Sequence, residues 1–137
     1  MKKNTTQLTE NHRRGLSSSL EVVEKTLREL EDLMLKQENA CCMEIINDVD
    51  QATMEHNMTA IREAKKMICE MTEKYGTSKD RVSMKRIINA KRTRIWEILT
   101  DSLSRRTKGY GEFPVETAGE YDKDIRKMMN ITNRIHY

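Results

Sequence analysis

The chain has 137 residues, a formal net charge of +3, 34 % charged residues and only 4 % aromatic ones. Five glycines and one proline among abundant Glu, Lys, Leu and Met exclude a collagen-like chain and favour helices over strands. The mean hydropathy of −0.80 is low, and no stretch approaches the ~20 apolar residues that span a bilayer, so no membrane partner is expected. Disorder is the composition to beat, and regular apolar stripes beat it, because disordered chains lack them.

The first helix is expected from about Thr9 to Gln37. Leu16, Leu20, Val23, Leu27, Leu30 and Met34 follow one another at steps of three and four, which winds them onto one stripe. Gly15 and Ser17 to Ser19 weaken the first turns, so residues 1–15 are expected to be partly frayed and the ordered helix to begin near Leu16. Residues 38–50 form a connector holding Cys41, Cys42, Met43, Ile45 and Ile46. This reads as a short extended piece over the bundle end, followed by Asn47, Asp48 and Asp50 as N-cap oxygens. A second helix runs from about Gln51 to Lys74 on Met54, Met58, Ile61, Ala64, Ile68 and Met71, with Gly76 as its left-handed stop. The third opens at Thr77, where Asp80 completes a weak capping box, and ends near Thr107. Its stripe is Met84, Ile88, Ile95, Ile98 and Leu99, flanked by Ile87 and Trp96. The loop from Lys108 to Pro114 breaks it, and Tyr110 and Phe113 are expected to fold back onto the bundle end. The fourth helix runs from Pro114 or Thr117 to Ile135 on Ala118, Tyr121, Ile125, Met128 and Thr132, with Thr117 and Glu120 as a capping box. Short connectors favour antiparallel neighbours. The fold class is therefore all-α: an elongated up-down antiparallel bundle of about four helices, with a coiled-coil-like repeat, in one domain covering residues 1–137.

Met1-Lys2-Lys3 has no apolar run behind it, so no signal peptide is expected. Three cysteines, Cys41, Cys42 and Cys69, are an odd count without framework spacing, which suits a cytoplasmic location. No catalytic motif stands out, no cofactor is implied, and no likeness to a known family is read from the residues. Metal is not expected: no Glu precedes a His by three positions, and the three cysteines with His56 lack the spacing of a zinc site.

Six features bear on function. Residues 79–108 hold ten basic against three acidic residues, more than the whole excess charge of the chain. A basic helix neutralises phosphates and releases counterions, and Arg81, Lys85, Arg92, Arg105 and Arg106 would be the nucleic-acid contacts. The positive residues wrap the helix, however, which equally describes a solvated helix beside acidic neighbours. Lys65 and Lys91 interrupt two apolar stripes. Together they would define a buried polar or anion site, or each would snorkel to the rim or fix register with a carboxylate. His12 on a bundle helix is a candidate phosphoryl acceptor, although Gly15 follows too early for the helices of histidine phosphotransfer domains. Gly109 and Gly111 are explained as a helix stop, with no phosphate needed. The ten methionines read as adaptable core filler.

The most useful feature is that helix one is apolar on two sides. Val22 and Leu33 fall roughly 220–240° from Leu27 at about 100° per residue, and Leu8 and Leu35 also lie off the main stripe. A second apolar face marks a partner surface, or a helix central to its own bundle. The expected function is a small cytoplasmic interaction or structural module that self-associates as a homodimer through Val22 and Leu33, or binds another protein there. The alternative is a nucleic-acid-associated or regulatory protein using the third helix. Below both stands a phosphotransfer or anion-binding bundle.

Overall fold

The computed structural model describes residues 7–37, 39–77 and 79–136. Those residues form an all-α protein of four helices: α1 (Glu10–Lys36), α2 (Gln51–Tyr75), α3 (Met84–Asp101) and α4 (Val115–Thr132). Two 3₁₀ turns, Ser104–Arg106 and Lys108–Tyr110, separate the last two. The chain divides into two compact units, Met1–Lys79 and Asp80–Tyr137. Each holds one helix pair, α1 with α2 and α3 with α4.

In the first unit α1 starts at Glu10, six residues before Leu16. The Thr9 hydroxyl accepts from the His12 backbone N–H at 3.1 Å, and the Thr9 carbonyl accepts from Arg13 at 2.9 Å. That cap, with Glu10 in the first turn favouring the positive helix end, outweighs the weak propensity of Gly15 and the serines. At the other end Gln37 takes the left-handed conformation (φ 43°), and its N–H closes onto the Leu33 carbonyl. The connector carries one isolated antiparallel bridge between Ala40 and Met43, and Asn39 Oδ1 accepts from the Ile45 N–H at 2.9 Å. Asp50 is the N-cap of α2, its carboxylate accepting from the Thr53 N–H at 2.7 Å.

Ile61 and Ile68, 5 % and 7 % exposed, are the buried centre of the α1–α2 seam. Leu16, Leu20, Leu27 and Met34 of α1 are half-buried. The expected α1 stripe is narrower than its spacing suggests, since Val23 and Leu30 are exposed. One partner helix covers only part of a stripe that wide.

Gly76 is the left-handed stop of α2 at φ 66°, and the Thr77 N–H reaches back to the Thr72 carbonyl at 3.0 Å. Thr77 thus closes α2 and does not open the next helix. The start of α3 moves to Ser83, whose hydroxyl accepts from the Arg86 N–H. The end also moves: α3 stops at Asp101 and not near Thr107. Leu103 turns extended (φ −60°, ψ 147°) and is buried, while Ser104 engages α4. The Ser104 N–H and hydroxyl both donate to the Asp122 carboxylate, at 2.8 and 2.6 Å. Tyr121 donates its hydroxyl proton to the Ser102 carbonyl, and its ring lies 4.6 Å from that of Phe113. Phe113 folds back as expected; Tyr110 does not, being 96 % exposed. The α4 cap is the Pro114 carbonyl, which accepts from the N–H groups of Thr117 and Ala118. Thr117 and Glu120 therefore sit inside the first turns of α4 and form no capping box.

Candidate functional site

The second apolar side of α1 is open. Val22 is 65 % exposed and Leu33 46 %. From the wheel position of Val22 round to that of Leu30, the same side of the helix carries His12, Gly15, Ser19, Val22, Thr26, Leu30 and Leu33, and no charged residue. They recur at steps of three and four, the period of a helix-packing seam. A Cβ built on Gly15 meets nothing within 4 Å, so this side has room for close approach. Polar groups here make only local bonds. Thr26 donates to the Val22 carbonyl at 2.8 Å, and His12 shares a hydrogen bond with Thr9.

The opposite flank of the same hairpin is charged. Lys65 on α2 donates to Glu31 on α1 at 3.2 Å, both side chains partly shielded from solvent. Lys65 thus meets a carboxylate that fixes register, which is the ordinary role of a charge beside a seam. Lys91 is exposed on α3. On the loop end of the charged flank lies a shallow cleft of about 430 Å³, lined by Met34, Leu35, Gln51, Met54, Glu55 and Arg62 among others.

The α2 helix also has an open apolar position outside its expected stripe. Met67 is 58 % exposed, and Ala60, about two turns earlier on the same side, is exposed as well. Both lie off the α2 stripe on the helical wheel, as Val22 and Leu33 lie off that of α1.

The basic residues of the second unit are spread among local partners. Arg92 donates to the Ile135 carbonyl at 3.0 Å and to Asn89. Arg106 lies 4.0 Å from Asp101, Arg94 lies 3.8 Å from Glu97, and Arg105 is among the cations that lower the Asp122 pKa. Arg81 and Lys85 are exposed at the start of α3. His12, His56 and His136 are exposed, as are the thiols Cys41, Cys42 and Cys69. Among the described residues no group of three His, Cys, Asp or Glu side chains is arranged to hold a metal ion. No described helix is long and apolar enough to cross a membrane. No protein-family model, curated protein or solved structure matches this chain.

Proposed function

We propose that the protein is an interaction module that self-associates through α1. The observation that supports this is the exposure of Val22 and Leu33 on a helix side that carries no charge along its length. A side of that kind gains by leaving water, at about 25 cal/mol per Å² of apolar area, and no ionic group on it has to be desolvated. Nucleic-acid binding through α3 has less behind it, because Arg92, Arg94 and Arg106 already face partners in their own unit. Sedimentation or light scattering of the full chain across a hundred-fold concentration range tests the proposal. A dimer is expected, and Val22→Glu with Leu33→Glu should split it with the helical circular dichroism unchanged. A wild-type chain that stays monomeric at the highest concentration refutes it.

A further inference from the structure

The open side of α1 has a counterpart on α2. Taking Ile61 as the centre of the α2 seam, Thr53, Asn57, Ala60, Ala64, Met67 and Met71 follow at steps of four and three on one flank. None of them is charged. On both helices the uncharged flank lies on the same rotational side of the seam, at negative angles for residues numbered from N to C. Rotation reverses when a helix is viewed from its other end. In an antiparallel pair, equal angles therefore project to one face of the hairpin. The charged flank confirms that geometry: Glu31 and Lys65 each lie at a positive angle, and their side chains meet at 3.2 Å. The hairpin thus has one charged face and one broad face built from both helices that carries charge only at its edge, where Lys74 shares the wheel angle of Val22.

The ion pair also sets the levels along the hairpin. With Glu31 beside Lys65 and the chains antiparallel, Leu30 and Leu33 lie level with the stretch from Ala60 to Met67, Thr26 with Met67 to Met71, and Val23 just beyond it. Large residues of α1 are level with the small ones of α2, and smaller residues of α1 with the methionines. Alternating large and small side chains across facing positions is what fills a helix-bundle layer.

We infer that this face is covered by the same face of a second copy, related by a two-fold axis running along the helices, so that α1 of each copy lies antiparallel on α2 of the other. The inference rests on the self-association proposed above and adds the partner helix and the register. Three considerations single out a second copy. An uncharged face matches another uncharged one, since any charge brought against it would have to be desolvated. The axis along the helices keeps levels equal, so Leu33 of one copy meets Ala60 and Ala64 of the other, and Leu30 meets Ala64 and Met67. The size is also sufficient. In that register residues 21–36 overlap residues 60–75, a stretch of roughly 16 residues per helix and about 24 Å, and two helices spaced about 9 Å apart are about 18 Å wide. Each copy then covers a plan area of roughly 430 Å², and the ridges and grooves of the helix surfaces carry two copies from about 860 Å² of plan area to the ~1,000 Å² of a specific interface.

The test uses the full chain and substitutions at exposed positions. Ala60→Lys and Met67→Glu, like Leu33→Glu, should each raise the dimer dissociation constant roughly hundred-fold, as expected when a lone charge is buried, with helicity retained. Mixing Leu33→Glu chains with Ala60→Lys chains should restore a one-to-one dimer, since the new carboxylate then faces the new ammonium across the interface. If Val22→Glu and Leu33→Glu split the dimer while Ala60→Lys and Met67→Glu leave it intact, the two-helix face is wrong and self-association through α1 alone survives. If the α2 variants dissociate but the mixture does not recover, the register is wrong. A monomeric wild-type chain overturns both proposals together.

Discussion

Gly76 and Gly119 are the same residue under opposite constraints. Gly76 sits at φ 66°, where an L side chain crowds the following carbonyl, and it provides the turn that ends α2. Gly119 lies within α4 without a positive φ, and a Cβ placed on it meets nothing within 4 Å. Gly76→Ala is therefore expected to destabilise the protein by about 1 kcal/mol. Gly119→Ala should stabilise it by roughly 0.5–1 kcal/mol, because the helix no longer has to restrain the most flexible residue. Urea unfolding of the two variants checks the sign of each, and equal signs would contradict the backbone angles. Only the first role was readable in the chain, because a glycine two residues beyond the expected helix end at Lys74 is a stop signal. Nothing in the letters around Gly119 separates a tolerated helical glycine from a needed one.

At the scale of elements, the apolar stripes of α1, α2 and α4 were legible because a period near 3.6 with one dry side has few alternative readings. The ends were less so. The Thr77 and Asp80 pair resembles a cap as well as Ser83 does, and only the closing bond from Thr77 to Thr72 decides which helix Thr77 serves. The early end of α3 depends on Ser104 meeting Asp122, eighteen positions away, a contact no local pattern announces. Two such junctions also set the response to acid. The bonds from Thr53 hold the Asp50 carboxyl below the usual carboxylate range, and those from Ser104, with lesser help from Arg126 and Arg105, do the same for Asp122. A carboxyl with a lowered folded pKa binds fewer protons folded than unfolded, so stability rises with pH through that window. The full contribution is present above about pH 4 and is lost as pH falls toward the folded values. Thermal midpoints between pH 7 and pH 2.5 should decline below about pH 4, and the decline should be shallower in Asp122→Asn, which also starts lower at pH 7. An identical acid limb in wild type and variant would remove Asp122 from the account.

Across the whole molecule the two units differ in how they dispose of charge. The first confines charge to the edge of one face of its helix pair, while the second spreads nine basic residues around α3 and its flanks. The residues that single out the first face, Val22 and Leu33, were readable as a surplus that one neighbouring helix could not cover. The α2 half was not read, because Ala60 and Thr53 carry little hydropathy and register only when the absence of charge is followed along the helix. That difference in chemistry separates two kinds of partner by salt. Association through an uncharged face has no counterions to release and is strengthened by excluded salts such as sulfate. Binding of phosphates by Arg81, Lys85 and their neighbours would lose roughly 10³–10⁵ in affinity between 50 and 200 mM salt for six to ten contacts. The dimer should therefore persist, with an unchanged or smaller dissociation constant, from low salt to about 1 M sodium chloride, where the Debye length falls to about 3 Å. Its melting temperature should rise with protein concentration, as linkage requires when only the folded chain associates. Analytical ultracentrifugation across that salt series is the decisive measurement. Dissociation as salt rises would show that charged groups hold the copies together, and the uncharged face of α1 and α2 would then have no part in assembly.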